Sequence, residues 1–483
     1  MVTISEAGVQ LRIERDNPWW KDSNYAVPEA NSPRRVYFQP FCELALNETI
    51  SRAAILLGPR RVGKTHMLKQ LIAEALKSGI EGRQIVYVSI DTPIYSGMTL
   101  ESIVQIMPGD DSKRSLVIFD EIQYLRDWEV HLKDLVDSYK NIKFVASGSA
   151  SAALKLKSEE SGAGRFSDFM LPPLTFYEFL LFLGEEERYV DTHTMLPKEG
   201  EEIGRLEFTI ADISGLNQRF IDYLNFGGYP EAVVNPQIRD NAEQFIRSDI
   251  IEKVLLKDLP ALYGITRIQE LNHIFAHLAF NAGSETNYES IANQSGISKP
   301  TIRKYMEYLE SAFLIIKLSC VDDSCKPSLR ERNFKIYLNN PSMRAALFAP
   351  VEPDDAQLIG QLTECAIFSQ WQHSSAFGRL RYARWRNEGE VDIVYMLSNK
   401  APLWIGEIKW TDAMSRKWSK MTAGLAHLIK KHPSIQSAVL TSKTIRSRAE
   451  IDNTRLDVTP SALYCYMVGR NIMRQLDITL SID

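Results

Sequence analysis

Residues 404–410 read WIGEIKW. In an extended chain alternate side chains share a face, so Glu407 and Lys409 point one way while Trp404, Gly406, Ile408 and Trp410 point the other. One face reads as buried, and the other presents an acid and a base together. That pairing suits metal-dependent cleavage of a phosphodiester. Carboxylates hold Mg²⁺ or Mn²⁺, and a lysine steadies an attacking hydroxide and the developing phosphate charge. Asp392 lies fifteen residues before Glu407 in EVDIVY, and Glu364 lies earlier still in a helical stretch. Glu364, Asp392 and Glu407 thus form a candidate metal set with Lys409 beside it. Glu390 shares a face with Asp392 and is an alternative ligand. Asp392 is the better choice, because the apolar run after it places it near the middle of a sheet. A surface ion pair is the competing reading, but it has no need of the Asp392 strand or of the arginines at 379, 381, 384 and 386.

A second set of residues points to nucleotide chemistry. GPRRVGKT (Gly58, Pro59, Arg60, Arg61, Val62, Gly63, Lys64, Thr65) matches G-x-x-x-x-G-K-[ST] in full, with an apolar strand before it and a helix-period segment after it. Glycines let backbone N–H groups curl around phosphate, and the helix N-terminus adds its dipole. Lys64 is expected to reach the β- and γ-phosphates, and Thr65 to hold Mg²⁺. SLVIFDE (115–121) is the expected partner strand, with Asp120 binding the magnesium through water and Glu121 polarising the attacking water. Ser147, in SGS, is placed to sense the γ-phosphate. Arg165, in SGAGRF, is a candidate γ-phosphate arginine, either within the chain or reaching into a neighbour, against the plainer reading of a surface arginine. The cofactors implied are ATP and Mg²⁺, with Mn²⁺ as an option at the nuclease-type set.

A third pattern lies at 288–315, YESIANQSGISKPTIRKYMEYLESAFLI. It predicts a helix, a tight turn at Gly296 and a second helix capped by Ser298 with Pro300 in its first turn. In a DNA reader that second helix enters the major groove, so Lys299, Thr301, Arg303 and Lys304 are the candidate DNA contacts. A packing module is the alternative.

These residues need scaffolds. Strand-like runs at 85–91, 115–121 and 142–149 alternate with helical stretches, which predicts a mostly parallel sheet carrying the phosphate loop. From about 166 to 265 the pattern is mainly helical, and from about 355 a helix leads into several strands. The expected fold class is α/β: a P-loop ATPase core of RecA-like or AAA type, a helical subdomain, a winged helix-turn-helix and a C-terminal α/β domain like restriction endonucleases. The expected boundaries are an N-terminal segment 1–30, ATPase core 31–170, helical subdomain with an acidic insert 171–265, winged helix 266–350 and nuclease-like domain 351–483.

With 483 residues, several domains are expected. Residues 376–450 hold 14 Lys/Arg against 6 Asp/Glu, whereas the whole chain has a net charge of −5. A basic module in an acidic chain suggests a polyanion partner. The acidic side is sharpest at 185–212, with nine acids against three bases. The five cysteines show no CxxC pair, which argues for a reducing cytoplasm and against structural zinc. The histidines form no cluster, and only His66 lies near the chemistry. No apolar run is long enough for a membrane span, and the first twenty residues lack a signal-peptide layout. The expectation is a cytoplasmic protein with DNA as a partner, no membrane, and a homo-oligomer or trigger protein as further options.

The order NPWW (17–20), PRRVYF (33–38), GPRRVGKT, IFDEIQYLRDWE (118–129), SGSA, AGRF, LPPLTFYEFL (171–180) and GGYPEAV resembles a prokaryotic AAA-type or STAND-related ATPase family. Its members join the ATPase core to a winged helix and a C-terminal domain similar to PD-(D/E)xK nucleases. FKIYLNNPSMRAAL (334–347) fits the segment after the winged helix, although the family's usual aspartate is Asn339 or Asn340 here. The resemblance implies ATP binding at Gly58–Thr65, magnesium at Asp120, water activation at Glu121, a sensor near Ser147 and a functional Arg165. It also implies a nuclease site at Glu364, Asp392, Glu407 and Lys409, with a role in defence against foreign DNA or in mobile-element biology. A regulatory switch that binds DNA or protein without cutting is the alternative.

Overall fold

The computed structural model describes residues 6–47, 49–95, 97–107, 113–149, 164–194, 206–325, 333–385, 389–397 and 401–480. The chain divides into two compact units, Met1–Pro172 with Leu476–Asp483, and Pro173–Gln475.

In the first unit, β1 (Ala53–Leu57), β2 (Ile85–Ser89), β3 (Ser115–Asp120), β4 (Ile142–Gly148) and β5 (Phe166–Met170) form a sheet in the order β2-β3-β4-β1-β5, parallel throughout. β1 and β3 are buried along their whole length, the pattern of central strands covered on both faces. The helices around the sheet include α1 (Glu6–Asp16), α2 (Phe38–Leu46), α3 (Lys64–Lys77) and α4 (Trp128–Ser138). The N-terminal segment is fastened to the sheet edge, for the indole N–H groups of Trp19 and Trp20 both donate to Ile85 O, at 2.9 and 2.8 Å.

In the second unit, α5 (Phe176–Leu183) starts at a capping box formed by Thr175 and Glu178. The acidic insert carries an antiparallel hairpin, β6 (Val190–Thr194) with β7 (Leu206–Ile210), and is followed by α6 (Ile213–Phe226). Residues 195–205 of the insert lie outside the described residues. After a run of short helical segments between Pro230 and Tyr263 come α7 (Ile268–Phe280), β8 (Glu285–Thr286), α8 (Tyr288–Ser295), α9 (Lys299–Ser311), β9 (Ile315–Val321) and β10 (Phe334–Leu338). β10 lies antiparallel between β8 and β9. Next are α10 (Ala356–Trp371), β11 (Leu380–Trp385), β12 (Gly389–Leu397), β13 (Ala401–Glu407), α11 (Met414–Lys431), β14 (Ser437–Ser442), β15 (Ser447–Ile451), β16 (Thr454–Pro460) and α12 (Ser461–Leu480).

β11, β12 and β13 form an antiparallel meander, and α11 crosses over to bring β14 parallel to β13. β9 pairs in parallel with β11, so all these strands share one nine-stranded sheet in the order β15-β16-β14-β13-β12-β11-β9-β10-β8. The segments expected as 266–350 and 351–483 are therefore joined by continuous strand pairing. α11 packs Leu425 and Leu428 onto Val391, Val394 and Ile405. It approaches so closely that a Cβ on Gly424 would stand 2.2 Å from Glu390 O.

The strand expected to run through Trp410 stops at Glu407. Two side chains capture the next backbone donors: Ile408 N–H donates to Asp392 Oδ2 at 2.9 Å, and Lys409 N–H to Thr441 Oγ1 at 2.7 Å. No helix among the described residues is long and apolar enough to cross a membrane.

Candidate functional sites

The phosphate loop follows β1 and leads into α3, at the C-terminal edge of the parallel sheet where such folds bind ligands. Arg61 and Gly63 take positive φ values of 64° and 95°, which turn the loop back on itself. A Cβ at Gly58 would lie 2.2 Å from Leu171 O, so only glycine fits there. Lys64 is buried, and its ammonium donates to the loop's own carbonyls, Gly58 O at 3.0 Å and Pro59 O at 2.7 Å. The loop thus presents a cation and a helix N-terminus to one point, a fit for nucleotide phosphate.

Asp120 ends β3 and gathers its neighbours. Thr65 Oγ1 donates to Asp120 Oδ2 at 2.7 Å, Tyr87 OH donates to the same oxygen at 2.8 Å, and Ser147 Oγ donates to Oδ1. Glu121 N–H donates to Ser147 Oγ at 3.1 Å. Glu121 itself is left-handed, φ 54°, a conformation that a non-glycine residue keeps only where its surroundings enforce it. Its carboxylate accepts from Gln123 Nε2, while Gln123 Oε1 accepts from Ser149 N at 3.2 Å. The donor set of Thr65 and Asp120 is hard oxygen and fits Mg²⁺. Ser147 is fully buried, and its hydroxyl bridges the Asp120 carboxylate and the Glu121 backbone N–H.

Arg165 stands elsewhere. Ala53 N–H donates to Arg165 O at 2.9 Å, which places Arg165 where β1 begins, while the phosphate loop begins where β1 ends. Five residues of strand at about 3.3 Å each separate them by roughly 17 Å. Its guanidinium is 43% exposed and pairs with Asp137 at 2.5 Å. The in-chain γ-phosphate role expected for Arg165 is corrected on this distance, and the trans role is left as the option.

Two residues that position this site, one on the loop and one on Asp120, carry no signal of that role in the sequence motifs. Arg35 is buried and donates to Val62 O and Pro172 O, both at 2.9 Å, clamping the loop from the PRRVYF segment. Tyr87 reaches Asp120 from the neighbouring strand, and no motif announces it.

In the second unit, α10, β12 and β13 bring Glu364, Glu390, Asp392, Glu407 and Lys409 together. Lys409 Nζ lies 2.6 Å from Glu407 Oε1 and 3.5 Å from Asp392 Oδ2. The expected pairing of Glu407 with Lys409 is present although the strand has ended. A further lysine stands among the acids. Lys335, from β10, has a side chain only 4% exposed, and its ammonium lies 3.0 Å from Asp392 Oδ1 and 3.3 Å from Glu364 Oε2, in contact with Glu390 Oε1. Tyr337 OH donates to Glu364 Oε2 at 3.0 Å. The signal was in the sequence, since FKIYL puts one lysine in an otherwise apolar and aromatic strand, and all five positions are buried.

Burial raises the Asp392 carboxyl, but Lys335, Lys409 and the Ile408 N–H outweigh it and hold Asp392 well below the usual carboxylate range. Burial and the charge of Asp392 push Glu407 and Glu364 upward, against the lysines. Burial lowers Lys409, and the charges of Asp392 and Glu407 more than restore it. Glu407 is 7% exposed, and its Oε2 has no hydrogen-bond partner. An orphaned, buried carboxylate oxygen beside further carboxylates fits a hard divalent ion, with Asp392, Glu407 and Glu364 as the residues that would hold it. Among the described residues no group of three or more acids, histidines or cysteines stands ready to hold a metal as arranged. The acids converge on ammonium instead.

On α9, Lys299, Arg303 and Lys304 are exposed, and Thr301 is half-buried. Thr301 belongs to the helix cap, its N–H donating to Ser298 Oγ and its hydroxyl lying 2.8 Å from the same oxygen. Arg303 stacks over the Tyr288 ring at 4.4 Å. Of the arginines near the carboxylates, Arg384 lies 3.7 Å from Glu390. Position 386 lies outside the described residues.

Residues 51–180 match the AAA domain family, and residues 217–355 match a domain of unknown function, DUF8612. Residues 51–180 carry a P-loop ATPase domain. An uncharacterised protein of Haemophilus influenzae is 24% identical over 299 residues, covering 60% of this chain and 68% of its own. Uncharacterised protein MJ1544 of Methanocaldococcus jannaschii is 26% identical over 281 residues, covering 56% of this chain and 57% of its own. The chain thus spans little more than half the length of MJ1544. Among solved structures, the Aeropyrum pernix ORC1 protein in complex with DNA overlays with a TM-score of 0.32 and 12% identity, covering 68% of this chain and 95% of that one. Saccharomyces cerevisiae RIF2 overlays with a TM-score of 0.24 and 15% identity, covering 40% and 72%.

Proposed function

We propose that this protein is an ATP-controlled, metal-dependent DNA nuclease. The observation that carries the reading is the meeting of Glu364 from a helix, Asp392 from one strand of a meander and Glu407 with Lys409 from the next. That arrangement supports a PD-(D/E)xK type of site. Asp392, Glu407 and Glu364 would hold Mg²⁺ or Mn²⁺, which supplies Lewis-acid activation of water when bound. Lys409 holds its proton and offers positive charge to the scissile phosphate. The order α7-β8-α8-α9-β9-β10, with β10 between β8 and β9, supports a winged helix, and the exposed cations of α9 are its proposed DNA contacts. ATP bound at Gly58–Thr65, with magnesium at Thr65 and Asp120 and water polarised by Glu121, would license cleavage.

The test is incubation of the purified chain with linear, circular and single-stranded DNA, Mg²⁺ or Mn²⁺, with and without ATP, beside Lys409→Ala. Cleavage abolished by that substitution is the expected result. DNA binding without cleavage under every condition would overturn it in favour of a second reading, an ATP-driven switch that binds DNA or a protein. The observation favouring the switch is the ammonium of Lys335 among the carboxylates.

A further inference from the structure

Lys335 belongs to β10, outside the elements that carry the acids and Lys409. Its stem runs through a strand buried at every position, and its charge ends among Asp392, Glu364 and Glu390. A lysine is rarely enclosed this way without a task, because enclosure forfeits hydration of the ammonium. Four carboxylates surround two ammonium groups here, with the Arg384 guanidinium 3.7 Å from Glu390 on the outer side, so the acids still outnumber the cations, and Glu407 Oε2 stays unpartnered.

We propose that Lys335 is a built-in counter-cation that a divalent metal must displace or push aside to occupy the carboxylate site. Mg²⁺ binds carboxylate oxygen at about 2.1 Å. An ion taken up by Asp392 and Glu364 would have to share those carboxylates with the ammonium, which lies 3.0 Å from Asp392 Oδ1 and 3.3 Å from Glu364 Oε2, so two cations would stand side by side in a buried site. Repulsion at that range weakens metal binding directly. It also makes the site's occupancy depend on where β10 holds its lysine, which is a means of keeping a cleaving centre idle. Lys409 does not duplicate this role, since its ammonium sits on the far oxygen of Asp392 and on Glu407. This inference rests on reading the carboxylates as a metal site, and its test separates the two.

Binding of Mn²⁺ to the nucleotide-free full-length chain is measured by the loss of the free-ion electron paramagnetic resonance signal, together with thermal melting with and without Mn²⁺. The variants are Lys335→Met, which keeps the length of the stem, Lys335→Arg, which keeps the charge, and Asp392→Asn alone and combined with Lys335→Met. Tightening of about tenfold or more in Lys335→Met is expected, with Lys335→Arg close to wild type. The tightening must disappear in the double variant. Lys335→Met leaves buried carboxylates unpaired, so it should melt at a lower temperature and gain more from Mn²⁺ than wild type does. Equal affinity in wild type and Lys335→Met, abolished by Asp392→Asn, would overturn the inference while leaving the metal site intact. Mn²⁺ binding that ignores Asp392→Asn in every background would overturn both. A Lys335→Met chain that remains unfolded at millimolar Mn²⁺ would also overturn the inference, because the ion would then fail to stand in for the ammonium. Cleavage is not the readout, so a protein that never cuts DNA but shows the tightening upholds the inference and loses only the nuclease reading.

Discussion

Thr65 Oγ1 donates to Asp120 Oδ2 at 2.7 Å, closing the gap between the phosphate-loop helix and the end of β3. These two residues are 55 positions apart in sequence, and their contact assembles the oxygen set that a magnesium–nucleotide complex needs. Asp120→Asn keeps the shape of the side chain and removes the charge. Nucleotide binding should change only severalfold, while ATP hydrolysis should fall roughly 100-fold, as when a preorganised electrostatic partner is lost. Lys64→Ala should instead weaken binding itself by about tenfold or more, because a charged hydrogen-bond donor to phosphate is worth ~1.5–3 kcal/mol. Fluorescent-nucleotide titration and phosphate release separate the two. Equal loss of binding in both variants would contradict this division of labour.

Much of this was legible in the sequence because the chemistry dictates residue types at fixed local spacing. The phosphate loop, the acids after β3 and the Ser298 cap are all set within a few residues. Asp392 and Glu407 were legible for a related reason, since each interrupts an apolar strand. Lys335 is such an interruption too, but its partners lie 29 to 57 positions away. Spacing alone does not reveal that β9 pairs with β11 and so carries β10 to the acids. The in-chain placement of Arg165 went astray because a motif gives a residue's order along the chain and says nothing of which end of the sheet it reaches. The end of β13 at Glu407 was hidden for a third reason: the acceptors that take its next N–H groups come from β12 and β14.

Asn17 pins the N-terminal segment to the sheet. It is fully buried; its amide donates to Ile13 O at 2.8 Å and Tyr87 O at 2.9 Å, and accepts from Tyr87 N at 2.7 Å. Asn17→Ala removes all three bonds and strands the two strand-edge groups of Tyr87 away from water. A loss of about 2–4 kcal/mol in urea denaturation is expected, in the range for breaking a buried network. A change within about 0.5 kcal/mol, the range of ordinary surface substitutions, would show that the segment is dispensable to the sheet.

The acidic insert makes a pH-dependent contribution. Arg219 donates to both oxygens of Glu185, at 2.6 and 2.9 Å, and holds that carboxyl below its ordinary value. A depressed carboxylate adds stability above its unfolded value of ~4.3, and that stability is lost as pH falls through the folded value. Glu185→Gln should therefore be less stable than wild type at pH 7, by under about 1 kcal/mol because the pair is partly exposed. The two should converge as pH falls past the ordinary carboxylate range and through the folded value below it. Thermal melts from pH 7 to pH 3 provide the measurement, and a gap that widens on acidification would reverse the sign and refute it.

The exposed face of α9 offers the sharpest test of nucleic-acid contact. Lys299, Arg303 and Lys304 project from it, while Thr301 is tied into the cap, so charge and cap can be removed separately. If the three cations meet phosphates, the triple alanine variant should lower the slope of log affinity against log salt by about 2–3, near 0.9 for each phosphate no longer neutralised. Binding should weaken alike on all sequences, because phosphate contacts position the protein and do not read bases. Ser298→Ala, which removes the cap itself, should leave the slope unchanged and weaken only the helix start, by about 0.5–2 kcal/mol. Arg303 needs its own variant, since its guanidinium already rests on Tyr288 and its removal also takes away packing. A triple variant with the wild-type salt slope would mean that α9 serves as a packing element, and that any DNA contact lies in the basic stretch around 376–450.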